Sequence, residues 1–308
     1  MLRGRRRYDS VLPRRVTVRI RNLRYVRLGT RDVELAARFA TRMIGLQEVG
    51  RTGSPGAGQS AYFRSDHRHH TLVYFEGDPA DQVVALEFDG DAAALKAAAR
   101  ALGGQGLAPR LGSRDECAIR NVSAMMSLRD PSGNVIELVV PARDSDSTFV
   151  PQRATGMGGF AHVGLRSTDP ALDEAFWTGV LGARVSDRIG NAPLLRFDDS
   201  HYQVALLHAR QSGVQHIAHQ VGSFDDVMRA WYFLRDQEVR ILFGPGRKPT
   251  SGSIFVYFEG PDGMTFEYAT AAKKVANDAT HRPRHFPFAP RSFCMWGGKA
   301  EIPEFNPS

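Results

Sequence analysis

At 308 residues with 42% hydrophobic content, the chain can bury one or two cores, and a prior of about 150 residues per domain favours two. The formal net charge of +7 raises a nucleic-acid reading, but eight arginines between Arg3 and Arg21 carry much of the excess, and no zinc-finger spacing, RNP-like aromatic motif or helix-turn-helix pattern follows them. No apolar run approaches the roughly 18 residues of a membrane span, the N-terminus lacks the apolar stretch of a secretory signal, and Cys117 and Cys294 suggest no disulfide framework. The expectation is therefore a cytoplasmic protein with no nucleic-acid or membrane partner, whose basic extension over residues 1–21 is a solvated or docked tail. A polyanion or membrane contact is the alternative for that tail.

In chain order, LRYVRLGTRDVELAARFATRMIGL from Leu23 reads as strand, turn, amphipathic helix and a closing Gly turn. AYFRSDHRHHTLVYF follows as a strand pair, and VALEFDGDAAALKAAARAL as a strand feeding a helix. SLRDPSGNVIELVV then reads as a hairpin with Pro-Ser-Gly between alternating apolar runs. PARDSDSTFVPQRATGMGG then carries Pro, Ser, Asp and Gly with little periodicity, and the boundary falls near Ser147 with a linker over residues 147–158. The same order then recurs as FAHVGLRSTDPALDEAFWTGVLGA from Phe160, LLRFDDSHYQVALLH, HIAHQVGSFDDVMRAWYFL and the hairpin YFEGPDGMTFEYAT. This self-similarity argues for an α+β chain of two tandem modules, residues 22–146 and 159–274. The extension over residues 275–308 is too rich in Phe and Trp for a disordered tail and is expected to pack on the body.

The second module places His162, His216 and Glu267 on three strand-like segments. Two imidazoles and one carboxylate hold one face of a metal and leave positions open for substrate and O₂, the ligand set of non-heme Fe(II) oxygenases. In the first module, the alignment puts Tyr25, Val84 and Glu137 at these positions, so only the second copy keeps a complete set. His219 competes with His216, but three residues on along an extended strand it faces the other way.

GFAHVGL, QHIAHQVGSFDDV, VYFEGPDGMTFEY and the terminal Met-Trp-Gly together resemble the vicinal oxygen chelate superfamily, and in particular its two-domain type I extradiol ring-cleavage dioxygenases. The resemblance runs from about Leu23 to the end. It implies paired βαβββ units in each module, with the metal in the C-terminal module alone. Fe(II) is the implied cofactor, with Mn(II) as the alternative, and a small aromatic diol and O₂ are the implied substrates. The resemblance further implies ring opening with both oxygen atoms incorporated, and a homo-oligomer.

For proton transfer, the resemblance implies Tyr257, ten residues before Glu267, as the tyrosine that bonds substrate; a core-packing role is the alternative. Tyr202 stands where the family places its acid/base histidine, and His201, one residue earlier, faces the other way unless a bulge intervenes. In GPGRKPTSGS, where the family often has His and Asp, Lys248 and Ser251 are the substrate-binding candidates. Lys248 would pair with an anionic ring substituent or else be a solvated loop residue. The competing readings are another metalloenzyme of the superfamily, glyoxalase- or hydroxyphenylpyruvate-dioxygenase-like, or a non-catalytic small-molecule-binding module.

Overall fold

The computed structural model describes residues 18–54, 56, 58–142 and 148–306. Most of the expected N-terminal extension and the expected boundary near Ser147 lie outside these residues.

Among the described residues, seventeen strands form two mixed sheets. The first, in sequence order, takes β1 (Ile20–Thr30), β2 (Gln47–Thr52), β3 (Ser60–Arg64), β4 (Leu72–Glu76), β5 (Gln82–Phe88), β6 (Arg110–Leu111), β7 (Val122–Arg129) and β8 (Val135–Pro141). They lie in the order β2-β3-β4-β1-β5-β8-β7-β6. The second takes β9 (Met157–Ser167), β10 (Arg184–Ile189), β11 (Ala192–Arg196), β12 (Val204–His208), β13 (Gly213–Val221), β14 (Ile241–Arg247), β15 (Ile254–Glu259), β16 (Thr265–Thr270) and β17 (Arg284–Phe286). Its order is β14-β15-β16-β13-β9-β12-β11-β10-β17. Each sheet is two strand-helix-strand units meeting at an antiparallel central pair, β1 with β5 and β9 with β13. The outer crossovers β1–β4, β5–β8, β9–β12 and β13–β16 are parallel.

The helices start where short polar side chains cap them. Asp32 caps α1 (Val33–Phe39), Asp91 caps α2 (Ala92–Gly104), and Ser113 with Glu116 makes a capping box for α3 (Arg114–Ile119). Asp169 with Pro170 opens α4 (Pro170–Gly179), and Ser223 opens α5 (Phe224–Asp236). Their apolar faces close a core that runs through both modules, with Trp177, Phe176, Phe63 and Phe266 fully buried.

The modules interlock reciprocally. The Pro-Ser-Gly hairpin of the first docks on α4 of the second, where the Ser132 amide donates to Asp173 Oδ1 at 3.0 Å and the Gly213 amide donates to Asn134 Oδ1 at 2.7 Å. From the second module, Phe266 packs 6.0 Å from the Phe39 ring and the Tyr268 hydroxyl donates to the Ile44 carbonyl at 2.6 Å. The C-terminal segment packs on the second sheet. There β17 pairs with β10, and α6 (Pro290–Phe293) and a 3₁₀ turn at Pro303–Phe305 bring Phe293 and Phe305 to a second apolar cluster.

Candidate metal centre

The strand register explains how three distant residues meet. On β13, Ala218 lies opposite His162 of β9 on one side and opposite Glu267 of β16 on the other, and His216 precedes Ala218 by two residues on the same strand. Residues two apart share a face, so all three side chains emerge on one side of the sheet. Their ligand atoms lie within 4.8 Å of one another, and all three residues are buried. Glu267 Oε2 is 2.8 Å from His162 Nε2 and 3.5 Å from His216 Nε2.

Two local features seat His216. A side chain at Gly164, its cross-strand neighbour on β9, would place a Cβ 2.3 Å from His216 Nδ1, so the imidazole needs the glycine. A bulge between Val214 and His216 brings the Gln215 amide round to the same ring, where its Oε1 meets Nδ1. With the Nδ1 proton on that oxygen, the Nε2 lone pair faces Glu267, and Nε2 has no hydrogen-bond partner among the described residues. An unpartnered buried nitrogen aimed at a carboxylate and a second imidazole is the arrangement a divalent cation completes. The donor set fits such an ion.

The electrostatics agree. Burial holds His216 well below the usual histidine range and lowers His162 as well, so both rings are neutral and able to donate a lone pair. Burial alone would raise Glu267, but Lys248, His162 and His216 outweigh it and hold the carboxyl below its ordinary range. Burial, followed by the Glu267 charge, pushes both Tyr202 and Tyr257 well above the usual tyrosine value.

Around the triad the expected residues separate. The Tyr202 hydroxyl is 3.0 Å from His162 Nε2, and Tyr257 lies opposite Glu267 across β15–β16 with its ring 5.2 Å from that of His216. His201 does not join them. It lies in the turn before β12, and its Nε2 meets Asp187 Oδ2 at 2.8 Å; Arg284 of β17 grips the same carboxylate. Lys248 lines the cavity, but its ammonium is held by Glu267 Oε1 at 2.6 Å and the Tyr202 hydroxyl at 2.7 Å, so it is neither solvated nor free for a ring substituent. Ser251 turns into its own loop and accepts from the Ser253 amide; Thr250 lines the cavity instead. His219 faces away, between Phe160 and Phe266.

The first module also departs from the alignment. Tyr25 pairs with Ala85 as His162 pairs with Ala218, and Glu137 pairs with Ala85 as Glu267 does with Ala218, so the counterpart of His216 is Val83 and not Val84. The turn from strand to helix is one residue longer in the first copy, where the cap Asp91 follows Ala85 by six residues, than in the second, where the cap Ser223 follows Ala218 by five, and this offsets the two strands by a residue.

A cavity of about 40 Å³ reaches His216 of the triad and is walled by apolar side chains including Ile189, Leu194, Phe243, Phe293 and Phe305. The last two come from the C-terminal segment, more than 25 residues beyond Glu267, and nothing in their local sequence marks them. Gln215 was equally missed, although its place beside a ligand candidate was a usable signal. A ring-sized ligand needs more room than this cavity offers.

Residues 159–268 match the family model described as the Glyoxalase/Bleomycin resistance protein/Dioxygenase superfamily. The chain is 26% identical over 280 residues to a protein of Rhodococcus jostii (strain RHA1) named iron-dependent extradiol dioxygenase, covering 84% of this chain and 92% of that one. It is 28% identical over 272 residues to a biphenyl-2,3-diol 1,2-dioxygenase of Paraburkholderia xenovorans (strain LB400), covering 83% and 89%. Among solved structures, a halotolerant catechol dioxygenase shares the fold with a TM-score of 0.79 at 21% identity, covering 94% of this chain and 98% of that one. The paired units and these likenesses along most of the length agree with the matched segment: residues 159–268 carry the module of the glyoxalase/bleomycin resistance protein/dioxygenase superfamily, and the whole chain is similar to two-module dioxygenases.

Proposed function

We propose that the chain is an Fe(II)-dependent extradiol dioxygenase that opens a catechol-type ring with O₂, with His162, His216 and Glu267 as the metal ligands. The observation that carries this reading is the buried triad, with ligand atoms within 4.8 Å of one another beside an apolar cavity. The names of its relatives point to the same reaction. When bound, Fe(II) supplies the redox chemistry that lets a singlet aromatic react with triplet O₂; Mn(II) is the alternative ion.

The chain's own residues supply the rest. Neutral His162 and His216 with ionised Glu267 leave a divalent ion one net positive charge, which favours a deprotonated catechol oxygen. Ile189, Leu194 and Phe243 give the cavity an apolar wall that disfavours water. Tyr202 and Tyr257 keep their protons, because burial beside Glu267 raises both, and each can donate a hydrogen bond to a substrate oxygen above the triad. The exposed Phe224–Trp296 pair, 6.3 Å apart, offers an apolar face for a homo-oligomer. Among the described residues no helix is long and apolar enough to cross a membrane, and both cysteines are free, which supports a reducing, cytoplasmic setting.

The test is anaerobic reconstitution with Fe(II), followed by O₂ uptake and the absorbance of ring-opened product with catechol, 3-methylcatechol and 2,3-dihydroxybiphenyl. Stoichiometric O₂ consumption with a yellow product supports the reading. A reconstituted chain that gains neither iron nor manganese sinks it.

A further inference from the structure

The two oxygens of Glu267 face different partners. Oε2 faces His162 and His216, whereas Oε1 lies 2.6 Å from the Lys248 ammonium. That ammonium is itself enclosed, 5.3–5.6 Å from the ring centres of Tyr202, Phe255 and Tyr257. Its backbone is fixed by a tight loop, in which the Lys248 amide donates to the Ser253 carbonyl and the Gly252 amide donates to the Lys248 carbonyl, each at 2.9 Å.

The first module repeats the pattern without a metal-type triad. Arg120 holds Glu137 Oε1, with Nε at 2.8 Å and a terminal nitrogen at 2.7 Å, while the Tyr25 hydroxyl donates to Oε2 at 2.9 Å. Tyr25 and Glu137 occupy the register of His162 and Glu267. In both modules, therefore, a cation, buried at Lys248 and partly buried at Arg120, takes one carboxylate oxygen and leaves the other toward the first strand of the module.

We propose that Lys248 is a positioning residue of the metal centre: by clamping Oε1 it makes Glu267 a one-oxygen ligand and keeps the remaining coordination positions open for the diol and O₂. This inference rests on the metal-site reading above. It replaces the expectation that Lys248 binds a ring substituent, and it ties the ligand carboxylate to Tyr202 through the 2.7 Å contact between the ammonium and the tyrosine hydroxyl.

The experiment is an anaerobic titration of the metal-free full chain with Mn(II) and Co(II), with no catechol present. Lys248→Met is expected to weaken both ions about 10- to 100-fold, the usual effect of losing a partner that orients a ligand. The visible spectrum of the Co(II) form is expected to change as the freed second oxygen joins the ion. Lys248→Arg is expected to restore affinity and spectrum, because arginine performs the same clamp at position 120. Arg120→Met is expected to lower thermal stability and leave metal affinity unchanged. Should Lys248→Met fail to fold, Lys248→Gln carries the same expectations. If the unsubstituted chain binds metal and the methionine variant binds equally well with the same spectrum, the clamp is overturned alone; a Lys248→Arg variant that restores neither property also overturns it. If the unsubstituted chain takes up no divalent ion, the proposed function falls and the clamp with it.

Discussion

His219 is the competitor of His216 three residues along β13, and its replacement by leucine has a calculable outcome. The side chain is 1% exposed, neither ring nitrogen has a hydrogen-bond partner among the described residues, and Phe160 and Phe266 lie beside it at 6.1 and 6.5 Å. An unpaired buried polar group costs about 1–3 kcal/mol, and the stacking of the imidazole on its aromatic neighbours offsets about 0.5–1.5 kcal/mol of that cost. A net gain of roughly 1 kcal/mol is expected for His219→Leu at pH 7, seen as a Tm higher by about 2 °C. The gain has a pH signature. Burial is the chief cause that holds His219 at about 3 against an ordinary 6.5; Arg68 and His162 assist, and Asp66 opposes them. Because the folded value is depressed for a base, the unfolded chain takes up the proton first as the pH falls below 6.5, and the wild type loses stability that the leucine variant keeps. Between pH 7 and pH 5 the gap widens by roughly 2 kcal/mol. Urea unfolding of both metal-free proteins at pH 7 and pH 5 measures it, alongside Mn(II) titration of each. A variant less stable than wild type, a gap that does not widen at pH 5, or a loss of metal binding would refute the reasoning, the last by making His219 the ligand.

Four further outcomes are expected. His162→Ala, His216→Ala and Glu267→Ala each abolish metal retention and turnover with the fold intact, read by metal analysis and circular dichroism; Tyr25→Phe loses only its bond to Glu137, about 1 kcal/mol of stability, and retains one ion per chain. Tyr202→Phe and Tyr257→Phe bind metal normally and lower kcat by about 10²-fold or more, the scale of a lost proton-transfer partner. Phe305→Ala enlarges the cavity and lowers KM for 2,3-dihydroxybiphenyl more than for catechol, measured by initial rates on both. Asp187→Asn frees β17, because Asp187 accepts from the Arg284 amide at 2.8 Å and from its guanidinium; proteolysis near Arg284 accelerates in the variant. Burial would raise Asp187, but His201 and Arg284 hold it at about 2, so its contribution to stability is present above pH 3.8 and fades as the pH falls through 2.

Much of this arrangement was legible in the chain. Alternating apolar runs around Pro-Ser-Gly and Pro-Asp-Gly marked the hairpins, and the order of strand and helix repeated visibly. The ligand types stood out because histidine and glutamate are unusual on buried strands. Facing direction was legible only where strands are regular. The opposite faces of His216 and His219 on β13 follow from a period of two, whereas His201 and Tyr202 lie in the turn before β12, where no such period applies. Val83 was misread as Val84 because the turn between β5 and its helix is one residue longer than the turn after β13, and matching the helix caps carries that extra residue back into the strand. The direction of Lys248 depends on loop closure between residues 248 and 253, and the cavity walls Phe293 and Phe305 depend on where a distant segment folds back. Neither is a local property of the sequence.

The two modules show what decides whether this architecture can hold a metal. Both present a buried glutamate clamped by a cation. Both also pair a histidine with a tyrosine, but in exchanged places: His162 with Tyr202 at 4.3 Å between rings in one, Tyr25 with His70 at 4.6 Å in the other. The exchange puts a phenol, whose hydroxyl donates to Glu137, where an imidazole lone pair is needed. Restoring that one residue does not suffice. Opposite Val83, where the second module has Gly164 to admit the His216 ring, the first has Arg27, buried and set over the Phe75 ring at 5.1 Å. A histidine at position 83 would meet that side chain. Tyr25→His alone therefore creates no second site, and the space beside the second ligand is as decisive for metal binding as the identity of the first.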